Sequence, residues 1–364
     1  MMRNKNVLVL AAVGLVLLVL AFVLSRTSAE VAVADAGPGR VAKKPHERQA
    51  VVYPRDQKRA VPEVPKPEDQ PRLDAMQRAL LGPDSKGVVF VEANAIRNSP
   101  LMEKILRCRE KESADGISRM KQELGIDPLQ DVDRVGFDGD VFVASGFFDK
   151  LKIPPEVGEG DKYGDGGRIW RTKDDQGQPV VFGKVGDGMM LTGVDEAHVK
   201  AAMDRAEGRG ASAASGMPAG FGEGEVYGTV GAAFLQSVLG QSDDPVAENI
   251  VKLVKSSNVC MNVDEDAQLS LDLQAVDESS AKDLSAAVGG AFAGLRAQAS
   301  QDGDEELAWL LEQARVQTQG DGRFTVDAAV PGELLLKGMG CDKDGNSTAP
   351  PAVSRRSPSP ASPR

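Results

Sequence analysis

The sequence predicts an α+β fold: two similar halves, each an antiparallel sheet with helices packed on one face, preceded by one N-terminal transmembrane helix. Three observations carry this. Strand-like and helix-like segments are interspersed without the regular alternation of a parallel βαβ sheet. Neighbouring strand candidates are joined by short turn signals, Asp138-Gly139 and Gly320-Asp321-Gly322, which favour hairpins. Residues 7–24 form an unbroken apolar run of 18 residues, just long enough to span a bilayer.

The first half covers residues 75–207 of the 364. Gly87 to Ala93 reads as a strand. Ser99-Pro100 reads as N-cap and first residue of a helix, because proline loses nothing where the backbone N–H has no helical partner. Leu101, Ile105 and Cys108 share one face of that helix. Asp115 to Leu124 continues it or starts a second helix, with Gly125 placed to end it. Arg134 to Phe137 and Asp140 to Gly146 flank the first hairpin turn. Lys150 to Gly167 reads as a loop. Arg168 to Thr172, Pro179 to Val185 and Gly188 to Leu191 make a meander, and Asp195 to Ala206 a helix with acids at its start, where the helix dipole favours them. Residues 208–223, rich in Gly, Ala and Ser, form the joint.

The second half covers 224–341. It restarts with a strand at Glu225 to Val230, short helices at Ala232–Leu239 and Pro245–Lys255, and strands at Asn258–Val263 and Gln268–Ala275. In the last of these Leu269, Leu271, Leu273 and Ala275 alternate with Ser270, Asp272 and Gln274, the pattern of a half-buried strand. Helices follow at Glu278–Gln298 and Asp304–Gln313, then a hairpin of Val316–Thr318 with Arg323–Ala328, then a short helix at Gly332–Lys337. Two matches suggest that the halves are related: Gly87-x-Val89-Phe90 with Gly224-x-Val226-Tyr227, and Val194-Asp195-Glu196-x-x-x-Lys200 with Val276-Asp277-Glu278-x-x-x-Lys282. The competing reading is chance, since such short matches arise between any two α+β segments. The offsets differ, so a duplication requires extra chain in the first half, around Lys150–Gly193.

The address is read from the N-terminus. Arg3 and Lys5 precede the apolar run, which keeps the N-terminus inside and sends the bulk of the chain out. Residues 1–25 therefore read as an uncleaved signal anchor in the inner membrane; the alternative is secretion after cleavage near Ala29. Residues 26–74 hold seven prolines and mixed charges, and read as an extended tether. Residues 342–364 read as a disordered tail. Head, tether and tail each carry +2, so the overall charge of −11 resolves into −17 on residues 75–341. An acidic folded part argues against nucleic acid as a partner.

Chemistry is sparse. With only two histidines, His46 in the tether and His198 on a charged helix face, nucleophilic triads and His-rich metal sites have no basis. Cys108, Cys260 and Cys341 have no metal-ligand spacing. Isolated cysteines are the default; if one disulfide forms, Cys260 with Cys341 is the expected pair, because Cys108 lies on an apolar helix face. Carboxylates are abundant, yet no spacing singles out an acid/base pair. Asp342-x-Asp344-x-Asn346 and the Asp161/Asp165 loop resemble calcium loops superficially; Ser347 and Val353 occupy positions where an EF-hand needs Gly and Glu. Gly289-Gly290 sits in a helical pattern, without a phosphate-loop lysine. No catalytic, cofactor-binding or metal-ligating residue is assigned, and no cofactor.

Three strings, Ser99-Pro100-Leu101, Gly125-Ile126-Asp127-Pro128 with Asp131 to Val135, and Ala144 to Asp149, give a βα…ββ module over residues 85–150. This module resembles uncharacterised membrane-anchored exported bacterial proteins with a duplicated α+β module. The resemblance implies no catalytic residue. The function expected from anchor, spacer and absent catalytic set is a non-enzymatic accessory or scaffold of an envelope process with a protein partner. The alternatives are a module binding a small apolar or lipid ligand between the halves, and a carboxylate-dependent hydrolase.

Overall fold

The run Val88-Val89-Phe90-Val91 is apolar at consecutive positions because both faces of its strand are covered. In the computed structural model this strand lies inside a single sheet. The structure describes residues 74–83, 85, 87–174, 177–211, 224–232, 235, 250–339, 341, 342, 344 and 346. The apolar run 7–24, the tether before Asp74, residues 212–223 of the joint, most of the two short helices expected after residue 231 and nearly all of the tail lie outside them. Among the described residues no helix is long and apolar enough to cross a membrane.

The elements are α1 (Ala75–Leu80), β1 (Gly87–Val91), α2 (Ala93–Arg97), α3 (Pro100–Leu124), β2 (Val132–Phe137), β3 (Val141–Gly146), β4 (Asp161–Tyr163), β5 (Gly167–Lys173), β6 (Pro179–Val185), β7 (Met189–Gly193), α4 (Glu196–Ala206), β8 (Val226–Gly231), β9 (Val254–Val263), β10 (Ala267–Ala275), α5 (Glu278–Gln301), α6 (Glu305–Gln313), β11 (Arg315–Gly320), β12 (Arg323–Val330) and α7 (Gly332–Gly338). A 3₁₀ turn, Pro155–Val157, precedes β4. The fold is α+β, as the sequence predicts, but its strands form one sheet rather than two. The order is β11-β12-β10-β9-β8-β1-β2-β3-β7-β6-β5-β4, with every neighbouring pair antiparallel.

The join is β1 against β8. The two strands matched in sequence, Gly87-x-Val89-Phe90 and Gly224-x-Val226-Tyr227, pair with each other, Phe90 opposite Tyr227. Outward from this pair the order reads alike on both sides, β1-β2-β3-β7-β6 and β8-β9-β10-β12-β11. In sequence, β4 and β5 fall between β3 and β6, and α5 and α6 between β10 and β11. The second motif match falls after β7 in one place and after β10 in the other. It marks a common way to start a helix. Asp195 accepts from the backbone N–H of Ala197, Asp277 from that of Ser280, and Glu196–Lys200 and Glu278–Lys282 each close at 2.8 Å.

The helices divide between the two faces. On one, α1 and α4 pack over Val88, Phe90, Val141, Val143, Ile169 and Leu191. On the other, Leu101, Ile105 and Cys108 of α3 and Leu336 of α7 pack over Val89, Val226, Met261 and Leu269. There α5 also covers Leu273, Phe324 and Val326. The segment after β1 thus packs mainly on the second half. It is one 25-residue helix, begun by Pro100 with Ser99 accepting from the Met102 N–H at 3.2 Å, and ended by Gly125 at φ 72°. Short elements escape the sequence reading: α1 and α2 are too brief to show a period, and β4 is three residues inside the expected loop.

Candidate functional site

A polar cluster lies where β1, β2, β8 and α1 meet. Tyr227 points from β8 beneath Phe90, ring centroids 5.4 Å apart, and its hydroxyl donates to Glu92 Oε1 at 2.7 Å. Arg134 on β2 brings Nε to 2.6 Å from Glu92 and Nη1 to 2.5 Å from Asp74. Asp74 also caps α1, accepting from the Gln77 N–H while the Gln77 side chain accepts from the Asp74 N–H. Burial pushes the Tyr227 phenol above the usual tyrosine range, and the hydrogen bond to Glu92 adds to it. Burial works against the Arg134 charge, but the bonds to Glu92 and Asp74 outweigh it and raise its pKa. The phenol is a fixed donor and the guanidinium a fixed cation. Neither is poised to exchange a proton near neutrality, as general acid–base chemistry requires. The cluster works as a latch joining β2, β8, the end of β1 and the start of α1.

A second polar region lies on the face of β10 and β12 turned away from α5 and α7. Ser270 Oγ donates to Asp327 Oδ1 at 2.5 Å, both residues buried. Asp272 sits diagonally across the ladder, with Oδ1 buried and without a hydrogen-bond donor. One row further Thr229 donates to Asn258 at 2.9 Å. Among the described residues no group of three or more His, Cys, Asp or Glu comes together to hold a metal ion.

The residues weighed from sequence are placed as follows. His198 is exposed on the first turn of α4. Asp161 is 2.5 Å from Arg171, and Asp165 is 3.6 Å from Arg209, so that loop's carboxylates face arginines. Asp342 turns onto its own loop, accepting from the Asp344 and Asn346 backbone N–H groups. Gly289 and Gly290 in α5 have open space where a side chain would project.

The cysteines overturn the expected pairing. Cys108 bonds to Cys341, with Cα atoms 5.9 Å apart and 233 residues between them in sequence. Cys260 is outside the disulfide. The reason is strand alternation. On β9, Met261 and Val263 face α3 and α7, so Cys260 faces the other way. The apolar stripe of α3 is what delivers Cys108 to Cys341, just past the end of α7. The latch was also missed: residues 74, 92, 134 and 227 share no motif, and the one signal was the matched Phe90/Tyr227 strand pattern.

No family model matches the chain, and no curated protein matches it. Among solved structures it is similar to crystal form I of TP0453, at TM-score 0.41 and 11% identity, over 76% of this chain and 98% of that one. Crystal form IV of TP0453 aligns at TM-score 0.37 and 11% identity, over 72% and 95%. This is a distant likeness and carries no functional argument.

Proposed function

We propose that the protein is a membrane-anchored, extracytoplasmic accessory or scaffold component of an envelope process, acting through a protein partner rather than by catalysis. The observation that most supports the address is the Cys108–Cys341 disulfide, because such bonds persist in oxidising compartments. The apolar run 7–24 with Arg3 and Lys5 before it, and the proline-rich tether, fit the same reading. Support for the non-catalytic role comes from the latch, whose proton-bearing groups are locked. The division into 75–207, a joint at 208–223 and 224–341, and the origin of the two halves by duplication, belong to this proposal. The like order of strands on either side of β1–β8 supports them.

A ligand between the halves gains no support: β1 and β8 are hydrogen-bonded there, and Phe90 is stacked on Tyr227. The test is in-cell cross-linking of the full chain beside a chain lacking residues 7–24. The reading expects a discrete protein partner that is lost with the apolar run; recovery of none overturns the scaffold role. Alkaline phosphatase fused after residue 75 is expected to be active, and an inactive fusion overturns the address.

A further inference from the structure

Among the described strands, β11 ends the sheet on one side and β4 on the other. The two edges differ. β4 has three residues, Asp161, Lys162 and Tyr163, and Asp161 is held by Arg171. β11 has six residues and carries neither the lysine nor the proline that commonly guard an edge. Its bulge, between Thr318 and Gly320, lies at the turn end and leaves Arg315 to Thr318 in regular register. Gln317, Thr318, Gln319 and Gly320 are exposed, and alternate residues of an edge strand direct their backbone N–H and C=O groups away from the sheet. Of the strands that α5 covers, β11 is the one it approaches most. Glu278, Ala281 and Lys282 of α5 line a cleft against Thr318 and Gly320, while Val288 and Phe292 join the cluster that holds Val316. Helix α5 therefore runs antiparallel to β11. Lys282, Ser285, Gly289 and Ala293 recur at helical spacing along its cleft side. Glycine weakens a helix interior, yet Gly289 has only open space where a side chain would project.

We propose that β11 pairs with β11 of a second copy of this chain, antiparallel across a two-fold axis at Gln317, and that the two α5 helices meet beside that axis. Opposed residues of an antiparallel pair share a sheet face, so Gln317 meets Gln317 of the second copy and Val316 meets Thr318. Each Arg315 then lies at an outer end, away from the other. An axis at Gln317 is about 7 Å along β11 from the cleft, which is about four to five residues along α5 and brings it beside Ser285 and Gly289. A glycine there lets two helix backbones approach closely. A foreign peptide added to β11 would account for the open edge but not for this glycine. A second copy accounts for both, and it brings a strand that is already ordered, so little conformational entropy is lost. With β4 short and charged, pairing closes at two copies instead of growing into a fibre. Each copy carries −17 on residues 75–341, but at cellular ionic strength charges more than about 8 Å apart are largely screened. The proposal is independent of the cellular address and of the envelope partner.

The test uses the purified full chain in detergent. In a Cys260→Ser background, Gln317→Cys places two thiols across the axis at ladder distance, about 4.5–5.5 Å between Cα atoms, within reach of a disulfide. Mild oxidation with copper phenanthroline is expected to give a covalent dimer, whereas Lys162→Cys on β4 should give little. Without these changes, sedimentation equilibrium is expected to show monomer and dimer in exchange. Gly289→Leu puts a better helix former into open space and should weaken the dimer roughly tenfold without lowering the melting temperature, and Gln317→Lys, which opposes two like charges, should weaken it about fivefold. A chain that stays monomeric, equal cross-linking from positions 317 and 162, or a dimer indifferent to Gly289→Leu overturns the proposal, while leaving the phosphatase fusion result unaffected.

Discussion

Arg134 reaches Glu92, Asp74 and, through Glu92, Tyr227. Replacing Arg134→Ala leaves the partly buried Glu92 and the exposed Asp74 without their cation and should cost about 1–3 kcal/mol, whereas Tyr227→Phe removes one hydrogen bond and should cost about 1 kcal/mol. Urea unfolding of the two variants checks the ranking. At the surface, Arg171 and then Lys200 bond to Glu196 and lower its pKa to about 2. The folded state binds that proton more weakly than the unfolded chain. The contribution is therefore complete above the unfolded value near pH 4 and is lost as pH falls toward 2. Burial raises the Asp138 carboxyl instead, and that contribution has the opposite sign. Unfolding midpoints at pH 7 and pH 3 should differ less in Glu196→Gln than in the parent chain. These residues were not legible as a group, because a charged side chain shows its partner only when distant strands are brought into register.

Elements built from local signals were legible. The β2–β3 turn at Asp138-Gly139, the Pro100 and Asp195 helix starts and the alternation of β10 need only neighbours in sequence to be understood. Gly136 was not, although it decides how α1 packs: a side chain there would meet Leu80 Cδ1 at 2.6 Å, Met76 Cε at 2.9 Å and Phe90 Cδ1 at 3.0 Å. Gly136→Val should push α1 off the sheet at a cost of about 1–3 kcal/mol. Asp277→Ala at the start of α5 should cost about 1 kcal/mol through its cap alone. Thermal unfolding of both variants checks the order. The start of β9 was misplaced as helix because Val254 and Lys255 suit either element, and pairing with β10 decides for strand.

At the scale of the whole molecule, the α+β class was legible but the single sheet was not, since nothing periodic in a strand names a partner 137 residues away. The disulfide works at the same scale, tying α3 to the segment just after α7. Reducing it should lower stability by about 2–5 kcal/mol, chiefly by freeing the unfolded chain. Cys108→Ser should reproduce the loss and Cys260→Ser should not; melting with and without reductant measures both.

The central β1–β8 pair also bears on biosynthesis. Until β8 is made, β1 has its neighbour on one side only, and Val88 to Val91 form a bare, apolar edge. At ribosomal speeds of roughly 5–20 residues per second, the interval before its partner emerges is about 7–27 s. The nascent first half is then a template for wrong pairing with another chain. Escort by a holding chaperone before completion is the expected remedy, and chains truncated before residue 224 should aggregate when the full chain stays soluble.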